Sequence, residues 1–339
     1  MLTDVADSFG PENPLVKICG HRQTDAMTKR PQNPALAIVL MLTATAFIAG
    51  TMLCAKLIGS GALGEPLHPL QISHGRFFFA FMALSTAAAV MRPKFGRPDM
   101  RIHIGRTLFG WGGVTCMFAA VAFIPLSDAT AISFLNPVFG MLLAIPLLGE
   151  RVGRWRWLAA FMAICGALIL LRPGPDTFQV AALLALGAAV LMGMELIFIK
   201  KLADREPPFQ ILLVNNALGL CIATLAVLPV WVAPTGAQWV ALAGLGVLMA
   251  MAQTCFVNAM ARADASFVTP FSYIALIFAS LYDLIIFDVW PDAISWIGAG
   301  VILSGAALLA WREGRLRPSV GTQSSSSASK SQPPERTPH

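Results

Sequence analysis

Apolar residues run almost unbroken from position 35 to 312, interrupted only by short polar clusters. The runs are continuous over about 20 residues, the length a helix needs to cross the hydrocarbon core of a bilayer. Strands of a membrane barrel would alternate polar and apolar residues over about ten positions. The pattern predicts ten helical spans, near 35–58, 67–90, 104–123, 127–148, 154–172, 179–199, 209–231, 237–259, 265–287 and 293–311. The expected fold class is therefore an all-α polytopic membrane protein with ten transmembrane helices and short connections.

Both flanks break the pattern. Residues 1–34 are polar and mixed in charge, with no apolar run placed early enough for a secretory signal. They are expected to be a cytoplasmic N-terminal segment. Residues 313–339 carry the Ser324–Ser327 run with Pro, Lys and Arg, the composition of a disordered tail.

Composition narrows the class. Of 339 residues, 56% are hydrophobic and 12% charged, and mean hydropathy is +0.69. Soluble domains average about 25% charged, so this chain cannot coat two soluble domains. The formal net charge of +6 does not point to nucleic acid, because the basic residues sit between apolar runs rather than on one face. Cys19, Cys54, Cys116, Cys165, Cys221 and Cys255 show no paired spacing for a disulfide framework or metal site. No cofactor or metal is expected.

The positions of Lys and Arg predict orientation. With the N-terminus inside, the inner segments, counted with the span ends that adjoin them, hold 21 of the 24 basic residues, Arg106 among them. The outer loops hold only Arg172, and Lys56 and Arg76 fall within spans. Both termini are expected on the cytoplasmic side of a bacterial inner membrane.

An internal repeat runs through these spans. Asp128-Ala129-Thr130 returns as Asp264-Ala265-Ser266, Glu150 as Asp288 and Trp157 as Trp296. Gly166-Ala167 returns as Gly305-Ala306, and Gln71-Ile72 as Gln210-Ile211, all at offsets of 136 to 139. The repeat divides the chain into five-helix units at 35–172 and 179–312. Five is odd, so the second copy is expected to enter the membrane inverted relative to the first. Inverted repeats around a midplane site belong to secondary transporters.

Arg76-Phe77-Phe78-Phe79, Asp128-Ala129-Thr130-Ala131 and Asn136-Pro137 lead on to Leu148-Gly149-Glu150-Arg151. Their second-half echo runs from Pro270-Phe271-Ser272-Tyr273 to Asp288-Val289-Trp290-Pro291-Asp292. Across 35–312 the chain resembles the drug/metabolite transporter superfamily, EamA type, which implies ten helices in two five-helix repeats. Around 264–292 it is similar to a bacterial branch with riboflavin and S-adenosylmethionine transporters. Some members of that branch have Arg where this chain has Ser272, and the difference makes a strongly anionic cargo less expected at the ninth helix.

Ionisable groups inside a span cost at least ~2.5 kcal/mol near the bilayer centre, which makes each a functional candidate. Arg76 lies about ten residues into its span and can bind substrate or hold a neighbouring helix. Glu195 is a candidate coupling carboxylate. His74 and Asp283 are further coupling candidates, each with a structural alternative. Asn136 precedes Pro137 in mid-span, where a missing backbone hydrogen bond can open a helix. Asn215, Gln253, Asn258, Ser272 and Tyr273 supply donors and acceptors that fit substrate contact or interhelical bonding. Trp111 sits among Gly110, Gly112 and Gly113 and can stack on a flat ring. Ala159, Ala163 and Ala167, Gly246 with Ala250, and Gly300 with Ser304 have the spacing of helix-packing stripes.

The expected function is secondary transport of a small metabolite by alternating access, with riboflavin uptake the leading reading. S-adenosylmethionine, an amino acid or a drug-like efflux substrate stays open. A membrane enzyme is a remote alternative, since His74 is the one histidine deep within a predicted span and no carboxylate is spaced to orient it locally. No phosphate-binding Gly-Lys loop indicates ATP as the energy source. The expected partners are the small-molecule substrate and the lipid bilayer, and a homodimer stays open as an assembly.

Overall fold

A computed structural model describes residues 33–93, 95–148, 153–171, 180–203, 205–260, 262 and 269–316. The Glu150 turn, the Asp264-Ala265-Ser266 echo and nearly all of both flanks lie outside them. The described residues form α1 (Pro34–Gly59), α2 (Pro69–Met91), α3 (Met100–Val121), α4 (Leu126–Ser133), α5 (Asn136–Leu148) and α6 (Arg154–Leu171). There follow α7 (Val180–Ala203), α8 (Pro208–Val227), α9 (Gly236–Met260), α10 (Ala275–Phe287) and α11 (Ala293–Leu316). Short 3-10 turns cover Leu228–Val230 and Thr269–Ile274, and no strand occurs among the described residues.

Seven stretches among the described residues are long and apolar enough to cross a membrane. Trp157–Leu170, Phe271–Phe287 and Ala293–Gly305 are shorter apolar helices of 10–17 residues, at three of the ten expected spans. Local signals set the helix starts. Asn33 Oδ1 accepts from the Leu36 amide at 3.0 Å just ahead of Pro34, and proline also occupies the first position of α2 and α8. Its fixed φ suits a first helical turn, where no amide partner is needed.

The most extensive helix pairings are α1 with α9, α3 with α7, and α6 with α11, followed by α2 with α9 and with α8. Small residues bring the axes close. A Cβ on Gly113 would lie 2.7 Å from Met192, and one on Gly246 2.5 Å from Phe79. Gly166 lies against Gly298 and Ile302, and Gly305 against Ala159 and Ala163, so α6 and α11 run antiparallel. The helices α2 and α8 are antiparallel too, because Gly219 packs on Phe77 while Gln71 reaches Val232. The Ala159–Ala167 stripe packs as expected. Gly300 does not, having no atom near its missing side chain, and Ser304 is exposed; Gly298 and Gly305 carry that contact instead.

The expected fourth span, 127–148, is present as one apolar stretch, Leu126–Leu147, interrupted by a turn at 134–135. Pro137 has no amide to give the Ser133 carbonyl. The Phe134 and Leu135 amides fall back to Ala131 and Ile132, three residues behind, and α5 begins anew at Asn136. In the second half the 3-10 turn Thr269–Ile274 precedes α10. The two irregular segments touch, with Phe134 edge-on to Tyr273 at 5.1 Å between centroids.

Candidate functional site

The site is built on one face of α3. His103, Arg106, Thr107 and Gly110 recur at helical spacing, and all four are buried. Arg106 is a correction to the charge count, which places it with an inner segment. The helix starts at Met100 instead of 104, which carries Arg106 well into the bundle at 5% exposure. Its Nη1 donates to the Ile211 carbonyl at 3.0 Å, and its Nε lies 3.5 Å from Glu195 Oε1. Glu195 reaches this position because Gly110 has no side chain; a Cβ there would lie 2.7 to 2.8 Å from the carboxylate atoms.

Arg76 comes from α2, 4% exposed and over the Phe77 ring at 4.5 Å. It shares the electrostatic field of Glu195 with Arg106. Its Nε and Nη1 have no hydrogen-bond partner, and neither does Trp111 Nε1, although all three atoms are buried. On α8, Asn215 Oδ1 accepts from Thr107 Oγ1 at 3.1 Å. Asn216 Nδ2 donates to the Leu212 carbonyl at 2.8 Å and reaches Gln253 Oε1 of α9 at 3.4 Å. The structure thus links Arg76, Arg106 and Glu195 through charge, Thr107 to Asn215 and Asn216 to Gln253, with Trp111 next to Gly110 on α3.

Other sequence candidates lie elsewhere. His74 belongs to an aromatic group with Phe78 and Trp231, at 6.1 and 5.8 Å. Asp283 is fully buried beside Lys56 at 3.0 Å and accepts from the Leu126 and Ser127 amides and the Ser127 hydroxyl. Those contacts tie α10 to α1 and to the start of α4. Asn136 opens α5, with its carbonyl close to Gly193, while Ser272 and Tyr273 lie on the 3-10 turn. Asn258 accepts from Arg262 Nη1 at 2.9 Å and donates to the Thr254 carbonyl.

Each end of the bundle carries a side-chain clamp. Gln71 donates to the Val232 carbonyl at 2.6 Å and accepts from its amide at 3.2 Å, and Gln238 donates to the Glu65 carbonyl at 2.7 Å. Gln210, the repeat partner of Gln71, accepts from the Gly96 amide at 2.7 Å at the opposite end. Beside it Glu206 accepts from the Asp99 amide at 2.8 Å, meets His103 Nε2 at 2.9 Å and accepts from Gln210 Nε2 at 2.7 Å. Burial pushes the Glu206 carboxyl up, but the bonds to His103 and the Asp99 amide, the His103 charge and the Gln210 bond outweigh it. Glu206 is held below the ordinary glutamate value. Sequence reading passed over His103 and Glu206; the spacing of His103 to Arg106, Thr107 and Gly110 was the available signal.

Nothing in this arrangement resembles a catalytic set. Among the described residues no three of His, Cys, Asp and Glu are grouped to hold a metal. The chemistry present is that of recognition: buried donors, amides, and one carboxylate between two arginines.

Comparison with known proteins agrees. The profile of the EamA-like transporter family matches residues 35–172 and 179–311. The chain is 31% identical over 250 residues to a riboflavin transporter of Vibrio cholerae, covering 70% of this chain and 84% of that protein. It is 34% identical over 221 residues to a riboflavin transporter of Rhizobium johnstonii, covering 63% and 71%. An S-adenosylmethionine uptake transporter of Rickettsia bellii is 26% identical over 254 residues, covering 74% and 87%. A solved crystal structure matches with a TM-score of 0.53 at 22% identity, over 84% of this chain and all of that one, and shares the fold.

Proposed function

This chain belongs to the EamA-like transporter family of multi-pass membrane proteins, and from that premise we propose that it takes up riboflavin across a bacterial inner membrane by alternating access. The observation that carries the cargo assignment is the similarity to two riboflavin transporters at 31% and 34% identity. The site suits such a cargo: amides and arginine donors beside Trp111 offer hydrogen bonds and a stacking surface to a flat polar ring. The membrane-enzyme reading falls away, because the family and its named relatives are transporters.

Ten crossings in two inverted five-helix repeats, with both termini cytoplasmic, complete the reading. Its support is the pairing of equivalent helices. The second helix of each half, α2 and α8, pack antiparallel, and so do the last, α6 and α11. A two-fold axis in the membrane plane produces that relation, and an axis along the membrane normal would make these pairs parallel. Exchange of the halves also maps the α1–α9 pairing onto α7–α3, and the Gln71 clamp onto the Gln210 clamp. Alternating access then opens one clamp while the other stays closed.

A second reading, S-adenosylmethionine uptake, is favoured by the longer alignment to the Rickettsia proteins. Growth rescue separates the two. Expression in a riboflavin auxotroph lacking its own uptake system is expected to restore growth at low vitamin. Failure, with the protein present in the membrane, rejects the riboflavin assignment.

A further inference from the structure

Three buried N–H groups on two facing helices have no acceptor: Nε and Nη1 of Arg76 on α2, and Nε1 of Trp111 on α3. The register puts them at one level. Ser73 and Thr115 meet across these helices, with their hydroxyls 3.0 Å apart. One turn further along α2 is Arg76, and one turn back along α3 is Trp111, whose carbonyl accepts from the Thr115 hydroxyl.

A buried donor without a partner costs about 1–3 kcal/mol, more when it is charged. Three at one level call for an acceptor that arrives from outside; His103 Nδ1, Arg106 Nε and Asn216 Oδ1 are also buried without a hydrogen bond among the described residues. Charge points the same way. Arg76, Arg106 and Glu195 interact electrostatically, two cationic side chains to one carboxyl. Arg106 Nη1 has the Ile211 carbonyl and its Nε is paired by charge, though not by a hydrogen bond, with Glu195, whereas neither Nε nor Nη1 of Arg76 has a hydrogen-bond partner. On a guanidinium, Nε–H and Nη1 point to different edges of the plane, so Arg76 offers separate donors here rather than one fork.

We propose that Arg76 and Trp111 form an acceptor-binding subsite, in which the guanidinium Nε and Nη1 and the indole Nε1 donate to oxygen or nitrogen acceptors on the transported molecule. The chemistry is a ring-carbonyl edge or a carboxylate. This rests on the transporter reading and deepens it: riboflavin offers the edge of its ring dione, and S-adenosylmethionine its carboxylate.

The test uses the full chain in lipid nanodiscs with riboflavin and S-adenosylmethionine as separate probes, measured by equilibrium binding. Trp111→Phe removes one N–H and keeps the ring, and should weaken binding of the preferred probe about tenfold. Arg76→Lys keeps the charge, loses the planar Nε and Nη1 donors, and should weaken it about a hundredfold. Thermal unfolding of both variants close to that of the parent separates loss of contact from loss of fold. If riboflavin binds the parent and both variants equally, the subsite is wrong while the cargo assignment stands. If only S-adenosylmethionine binds, and both variants weaken it, the cargo assignment fails while the subsite stands.

Discussion

Arg106 Nε of α3 lies 3.5 Å from Glu195 Oε1 of α7, inside the bundle and beside the glycine that makes room for the carboxylate. The pair couples the third helix of the first half to the first helix of the second, along one of the most extensive pairings in the fold. A carboxylate that gains or loses a proton here changes the charge between two arginines, and so the attraction that holds α3 to α7. Glu195→Gln is expected to flatten the pH dependence of uptake. An unchanged pH profile in that variant removes Glu195 from any coupling role.

Asp283 is expected to act as a structural tie. Four donors converge on it, from Lys56, the Leu126 amide, and the amide and hydroxyl of Ser127. Asp283→Asn leaves the Lys56 ammonium buried without its counter-ion, at a cost of about 3–5 kcal/mol. Adding Lys56→Met to that variant removes the stranded charge and should recover part of the loss. Thermal unfolding in detergent reads both; a double variant no more stable than Asp283→Asn alone contradicts the account.

The Glu206 cluster gives a pH prediction with a definite sign. The groups facing its carboxylate are His103, the Asp99 amide and Gln210, with Arg205 nearby, paired to the Asp99 carboxylate at 3.6 Å. The folded-state value is lowered, so the ionised group contributes stability fully above the ordinary glutamate value of about 4.3. That contribution is lost as pH falls through the lowered value. Unfolding temperature should therefore drop more steeply below about pH 4.3 in the parent than in Glu206→Gln. Parallel acid profiles would overturn this.

Helix packing between α6 and α11 can be checked with two glycines. A Cβ on Gly166 would lie 2.7 Å from the Gly298 carbonyl and the Ile302 amide, whereas one on Gly300 meets nothing within 4 Å. Gly166→Ala should cost about 1–3 kcal/mol by overpacking, and Gly300→Ala should stay within about 0.5 kcal/mol. Equal unfolding temperatures for the two would contradict the close approach.

Much of the architecture was readable from hydropathy, because continuous apolar runs and clustered Lys and Arg report the membrane directly. Pro137 likewise announced the break in the fourth span. The site was only partly readable. Glu195 and Arg76 stood out as charges deep in apolar runs. Arg106 did not, because counting basic residues by loop ignored its place on the face with His103, Thr107 and Gly110. The Lys56–Asp283 pair, 227 residues apart, leaves no local trace, since neither residue's neighbours name its partner. The Gln71 and Gln210 clamps were visible as a repeated dipeptide, but their opposed ends follow only from the antiparallel packing of α2 and α8.

Transport itself is tested most directly with the purified chain in proteoliposomes and radiolabelled riboflavin. Vesicles preloaded with unlabelled riboflavin should take up label faster than empty ones, saturably, and Arg76→Ala vesicles should not. Label entry no greater than in protein-free vesicles, with the chain folded and inserted, would contradict riboflavin transport by alternating access.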